Sequence, residues 1–294
     1  MAVSGSGADF DTEIITIGQG YGDKNCSKPS SFSASPKWVT GAYVGSKPTV
    51  CGGAGNDKCF SYSFELNSWQ EQASLGVQLD GLASIALDEN RLWLTGGRTG
   101  ITYKSKTYIL EGSQVSDGPD LPYATGFHCV AKVNETHSFM SGGYNANGSN
   151  ANERWAFLYD WVSGQWTLAG TMVRRKHGHA CAVLRDPPRV MVVGGFADSG
   201  KQKSLDTTTE ILDLESMTWT QGPSTPEKLG FSGAAAIPYR DSFVLVGGDT
   251  GPFFRTIYYL NVDSMTWETL DEKLENPRQY FAGFQIPNDV CRTD

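Results

Sequence analysis

Val190-Met191-Val192-Val193-Gly194-Gly195, a polar stretch, and then Thr209-Glu210-Ile211-Leu212-Asp213-Leu214-Glu215-Ser216-Met217-Thr218-Trp219 is the segment that decides the fold. A β-branched apolar run that stops at a Gly pair reads as a buried strand ending where the backbone needs positive φ or close approach. The polar stretch is its turn. Thr209 to Leu214 reads as a returning strand, Asp213 to Ser216 as a tight turn, and Met217 to Thr220 as a third strand carrying a large ring. Such a unit has two apolar faces and needs neighbours of its own kind.

Gly pairs recur at Gly52-Gly53, Gly96-Gly97, Gly142-Gly143, Gly194-Gly195 and Gly247-Gly248, at intervals of 44, 46, 52 and 53 residues. Periods of roughly 40–50 residues indicate propeller blades of four strands. Trp69, Trp166, Trp219 and Trp267 each follow a Tyr-, Ile- or Leu-rich strand, whereas the second unit places Val115 where a Trp would sit. A smaller side chain there should leave that blade boundary underfilled.

An apolar strand, Gly-Gly, a Tyr or Ile strand, an acidic turn and Trp together resemble the Kelch repeat, and the resemblance covers nearly the whole chain. It implies an all-β fold, a β-propeller of four-stranded antiparallel blades around a central channel, closed by radial repetition. Thr12-Glu13-Ile14-Ile15 lines up with Thr209-Glu210-Ile211-Leu212, with Cys26 at the Trp position, and Tyr280 to Pro287 resembles Phe231 to Pro238, the first strand of a unit. The expectation is therefore six blades, the sixth split: outer strands from the N-terminus, inner strands from the C-terminus. Five blades with loose ends is the alternative. Residues 1–11 are expected to be a disordered tail and 12–294 a single Kelch domain.

Composition agrees with a compact domain: 39% hydrophobic, 12% aromatic, 34 Gly and only 19% charged residues. No apolar run approaches the roughly 18–20 residues of a membrane span. The small polar residues at the start do not read as a signal peptide. A net charge of −8 with no basic run longer than Arg174-Arg175-Lys176 argues against nucleic acid and against anionic membranes.

Among the six Cys, Cys51 ends one strand and Cys59 opens the next, so a hairpin would set them opposite one another. Cys26 and Cys291 lie on the two halves of the split blade, where a bridge would lock the ring. Cys129 and Cys181 both sit 13 residues before their Gly pairs; equivalent positions face the same way round a ring, so they read as two buried thiols. All six reduced is the competing reading. Asn25, Asn134 and Asn147 begin glycosylation triplets. Triplets and the even Cys count favour an extracellular or secretory setting, with a cytoplasmic one as the alternative.

The resemblance also covers enzymes, copper-radical oxidases and a sugar epimerase among them. His177-Gly178-His179 has a spacing that could put two imidazoles on one side of a strand. In Kelch units, however, a basic residue followed by Gly-His commonly begins the inner strand. No nucleophile elbow is present. Glu65, Glu210 and Asp213 recur at repeat positions, which marks them as architectural. No catalytic residue, metal or cofactor is expected.

The resemblance further implies that two kinds of loop meet at one channel mouth: the segments before each inner strand and the residues after each Gly pair. The first hold Trp38, Asp80, Tyr123, Arg174 with Lys176, Lys228, and Arg278 with Tyr280; the second hold Ala54, Arg98, Tyr144, Phe196 and Asp249. Aromatic residues with Arg on one concave surface are what interface hot spots are made of. If Arg98, Arg174 and Arg278 converge, the partner should present carboxylates. The expected function is non-enzymatic recognition of a protein, a peptide, an acidic one included, or a glycan. A secreted carbohydrate-active or copper-radical oxidase-type Kelch enzyme, or a structural part of an extracellular assembly, are the alternatives.

Overall fold

The structure, a computed structural model, describes residues 1–5, 9–17, 28–34, 37–145, 154–198, 203–226, 233–248 and 255–287. Six antiparallel sheets ring a channel. Blade one comprises Thr40–Val44, Lys47–Cys51, Lys58–Ser63 and Ser68–Ser74; blade two Ala83–Ala86, Arg91–Thr95, Thr107–Glu111 and Gln114–Asp117. Blade three comprises Cys129–Lys132, His137–Ser141, Trp155–Asp160 and Gln165–Thr171; blade four Ala180–Leu184, Arg189–Val193, Thr209–Asp213 and Thr218–Gln221. Blade five comprises Ala235–Tyr239, Ser242–Val246, Thr256–Asn261 and Thr266–Lys273. No helix among the described residues is long and apolar enough to cross a membrane.

The sixth blade closes the ring, which excludes five blades with loose ends. Its innermost strand is Ala282–Gly283, followed by Ala2–Gly5 and Asp9–Glu13. The residues expected to form a tail therefore supply the second strand. Ala2 and Val3 are buried, and Phe284 N–H donates to the Met1 carbonyl at 3.1 Å. Val3 pairs with Thr12 and Ala2 with Glu13, as Val193 pairs with Thr209 and Val192 with Glu210, so Ser4-Gly5 occupies the Gly-pair place. The C-terminal end is displaced by two residues from its expected match, because Ala282 opposite Val3 corresponds to Ala235 opposite Val246. The fourth strand expected around Cys26, and Cys291, lie outside the described residues.

The Gly pairs are where one blade docks on the next. Gly97 N–H donates to the Thr125 carbonyl at 2.9 Å, and Gly53, Gly143 and Gly248 do the same to Leu79, Lys176 and Arg278. At Gly96, φ is +57° and a Cβ would lie 2.6 Å from the Thr125 oxygen, so only Gly fits. His128 and His179 reinforce these seams. Their Nε2 atoms bond Thr95 Oγ1 at 2.8 Å and Ser141 Oγ at 2.9 Å in the preceding blade. Thr95 Oγ1 itself donates to the Ala83 carbonyl, so His128 carries its proton on Nε2. Burial pushes the His128 imidazole down to about 3 and holds His179 well below its usual value.

Outer Trp residues seal the seams from the rim. Trp219 donates its indole N–H to the Ala169 carbonyl at 2.9 Å, Trp166 to Asp120 at 2.9 Å and Trp69 to Ser30 at 3.3 Å. Each leans on a ring of the segment before it: Trp219 on Phe139, Trp166 on Trp93, Trp69 on Phe32.

Cys51 and Cys59 form the hairpin disulfide expected of them, Cα to Cα 4.0 Å. Cys129 and Cys181 are bridged as well, Cα to Cα 6.0 Å, which corrects the expectation of free thiols. The equal distance to the Gly pairs conceals a one-residue difference in hairpin length. Cys129 pairs with Ser141 beside its Gly pair, a place held in blade four by Ala180 opposite Val193, so Cys181 lies one step further along. One step reverses the side-chain direction in a strand, and the two sulfurs meet across neighbouring inner strands. Thr40 and Ser84 touch in the same manner, 2.6 Å, between blades one and two.

Candidate functional site

Six residues occupy one position at the head of the inner strands, all with positive φ: Trp38, Gly81, Phe127, Gly178, Gly233 and Tyr280. Each inner strand turns sharply into the channel there. Five amide bonds link them in an arc around the opening: Trp38 N–H to Tyr280 O at 2.9 Å, Tyr280 to Gly233 at 2.8 Å, Gly233 to Gly178 at 2.7 Å, Gly178 to Phe127 at 2.7 Å and Phe127 to Gly81 at 2.8 Å. Three Gly leave room for three rings, since a Cβ at Gly81 would lie 2.9 Å from the Phe127 ring.

The rings meet. Trp38 and Phe127 are 6.1 Å apart and Phe127 and Tyr280 5.7 Å apart, both edge to face, and all three are partly exposed. The Arg98 guanidinium lies 5.1 Å from both the Trp38 and Phe127 centroids, and Lys37 Nζ 4.4 Å from Trp38. Asp80 holds Arg98 through a 2.6 Å bond from Nε, and the Tyr103 phenol also contacts it. The three rings line one cavity of about 190 Å³ together with Thr40, Ser84 and the Cys129–Cys181 bridge.

The two kinds of loop do meet here. Main-chain bridges join Asp80 to Arg98, Gly126 to Tyr144 and His177 to Phe196, and Ala54 N–H donates to the Lys37 carbonyl. Side chains continue the aromatic cluster outward over blades two to four, with Tyr103 and His177 buried and Tyr144 and Phe196 partly exposed. Tyr103 lies 5.7 Å from Tyr144, Tyr144 5.1 Å from His177, and His177 stacks on Phe196 at 5.4 Å. His177 thus belongs to the mouth while His179 is bonded inside a seam, because Gly178 at φ +62° interrupts the strand between them.

Several expected residues are elsewhere. Lys176 is 0% exposed, bonded to Asp206 and to Thr208, with Glu210 4.0 Å away. Arg278 is also 0% exposed, bonded to Glu13 and the Asp11 carbonyl. Neither faces the mouth. Burial pulls both cations below their usual values, and the neighbouring carboxylates oppose it. In these two blades the third strand carries Glu210 or Glu13 where the others carry Phe60, Tyr108, Phe157 and Tyr258. Each Glu also accepts main-chain N–H groups of the incoming segment, Val173 at 2.6 Å and Glu275 at 2.7 Å. An inward cation therefore answers a buried carboxylate.

The Tyr123 hydroxyl donates to the Gly142 carbonyl at 2.8 Å and its ring packs on Trp155 and Phe157, so it braces a Gly pair. The Arg174 side chain is exposed, its main-chain N–H tied to Glu210. Asp249 and Lys228 lie outside the described residues. Phe127, Lys37 and Tyr103 belong to the mouth and were not singled out from sequence, and His177 was weighed there only as a metal ligand and not as a residue of the mouth.

The chain is similar in structure to that titled "Structure of YjhT", with a TM-score of 0.72 at 14% sequence identity, covering 83% of this chain and 86% of that one. No curated protein matches it. The family model described as the KLHDC2/KLHL20/DRC7 Kelch-repeats domain matches residues 110–286, more than half of the chain. Kelch-repeat domains typically bind proteins and are usually not enzymes. With six blades, four Gly-pair docks and a match that runs from the third strand of blade two to the innermost strand of blade six, this chain belongs to the KLHDC2/KLHL20/DRC7 Kelch-repeats domain family.

Proposed function

We propose that the protein is a non-enzymatic recognition module that binds a peptide segment of another protein at the aromatic mouth, with an acidic residue of that peptide placed at Arg98. The observation that carries this reading is the cluster of Trp38, Phe127 and Tyr280 under Arg98 and Lys37. Three fixed rings offer apolar contact with little rotamer entropy to lose, and a guanidinium pinned by Asp80 is already oriented. The fold's arginines do not form a triad, since Arg278 is buried, so recognition of charge is local to Arg98 and Lys37. Tyr144 and Phe196, half-buried and backed by the buried Tyr103 and His177, extend the surface toward blades two to four and would take the flanking residues of the peptide.

Two disulfides and an exposed turn at Asn134 support an extracellular or secretory setting. In that turn Asn134 Oδ1 accepts from Thr136 and His137.

Selection of a random-peptide phage library on the immobilised chain tests the reading. It should enrich sequences that combine Asp or Glu with an apolar or aromatic residue. Absence of enrichment over a propeller carrying Trp38→Ala and Tyr280→Ala would contradict it.

A further inference from the structure

On the face opposite the mouth, where the hairpin turns lie, a half-open notch of about 440 Å³ sits between blades one and two. Val44, Lys47, Ser61 and Gln72 form one wall, and Asn90 with the turn Leu110 to Ser113 the other. Its origin can be traced residue by residue. Val115 pairs with Leu110 as Trp219 pairs with Leu212, so Val115 stands where the sealing Trp stands in blade four. Across the seam, blade one pairs Ser61 with Thr49 where other blades pair Ile109 with Trp93, Leu158 with Phe139 and Ile211 with Met191. Three large side chains are thus replaced by small ones at one seam.

We propose that this notch is a binding site for a tryptophan side chain of a partner protein, which supplies the ring that blade two lacks. The repeat itself defines the occupant. At neighbouring seams an indole lies against apolar side chains and donates its N–H to an acceptor of the preceding segment. Here Gln72 lies on the blade-one strand that corresponds to the Ala169 strand. Its Nε2 donates to Gly112 O at 2.6 Å, while its Oε1 is buried without a hydrogen-bond partner. A buried acceptor without a donor is a liability that an indole N–H would remove. None of the eight Trp of this chain is more than partly exposed, each being held mostly within its own propeller, so a second copy does not supply the ring. A Trp anchor seated in a preformed pocket is also a common interface hot spot.

The test is isothermal titration of N-acetyl-tryptophanamide, at up to millimolar concentration, into the wild-type chain. One-to-one binding is expected, weakened at least tenfold in Val115→Trp, which places the ring in cis and should raise the melting temperature. Ser61→Ile closes the notch from the other wall and serves if that variant does not fold. The 1-methylindole analogue, lacking the N–H, should bind wild type about fivefold more weakly, the factor for one net hydrogen bond. Absence of binding by the wild type, or equal affinity for the filled variants, overturns the proposal, as does equal affinity for the methylated probe.

Discussion

Asp206→Asn should destabilise the propeller by about 3 kcal/mol, because it strands a charge that has no exposure at all. Lys176 is fully buried and Asp206 nearly so. The substitution keeps the Asp206 Oδ1 acceptor of the Thr208 N–H, 2.9 Å, so the local turn survives and only the charge is removed. Removing one partner of a buried pair typically costs about 3–5 kcal/mol. The lower end applies here, since Glu210 remains 4.0 Å from Nζ and Thr208 Oγ1 3.1 Å. At an effective dielectric near 20, a charge at that distance retains about 4 kcal/mol of attraction, which limits the loss. For a domain of 294 residues the unfolding entropy is about 0.6 kcal/mol/K, so the melting temperature should fall by about 5 °C. Lys176→Met in the same chain should restore most of the loss, because Glu210 keeps its main-chain donors. Urea and thermal unfolding of the single and double variants decide the matter. A single variant within 1 kcal/mol of wild type, or a double variant less stable than the single, would refute the account of this lock.

Other expectations follow from the seams. Below the unfolded value near 6.5, the unfolded chain binds a proton at His128 that the folded chain refuses until about pH 3. Stability should therefore fall as pH drops through this window, by about 1.4 kcal/mol per pH unit for each such His. Urea midpoints from pH 7 to 5 should show it, and His128→Gln should flatten the profile; an unchanged slope would count against neutral seam histidines. The Cys129–Cys181 bridge closes 52 residues and Cys51–Cys59 only 8, so loop entropy assigns them about 4 and about 2.5 kcal/mol. Serine pairs compared by chemical denaturation should show that order, and the reverse order would contradict it. Arg278→Met should loosen the junction of N- and C-terminal strands while leaving blades two to four protected in hydrogen exchange. Uniform loss of protection would mean that closure is not local to blade six.

The fold was legible because its devices repeat. Gly pairs and Trp announce docking points five and four times over, and even the missing Trp at Val115 marked a real gap. The N-terminal strand was not legible: Met1-Ala2-Val3 is too short an apolar run, and Ser4-Gly5 replaces the diagnostic pair. Cys129–Cys181 was hidden by a one-residue difference in hairpin length, which counting to the Gly pair cancels. Lys176 and Arg278 looked like surface cations because their buried partners are 30 and 265 residues away. Phe127 escaped notice because two of its five counterparts are aromatic and three are Gly, a mixture that makes sense only once the six inner strands stand in a circle.

The central claim is that the mouth, with Arg98 at its centre, is the recognition surface. Its most direct test is the affinity of an acidic peptide selected on the wild-type chain, measured by titration calorimetry against wild type and Arg98→Ala. A loss of tenfold or more is predicted, with unfolding midpoints that stay together. Equal affinity for both chains would contradict it and move recognition away from the channel mouth.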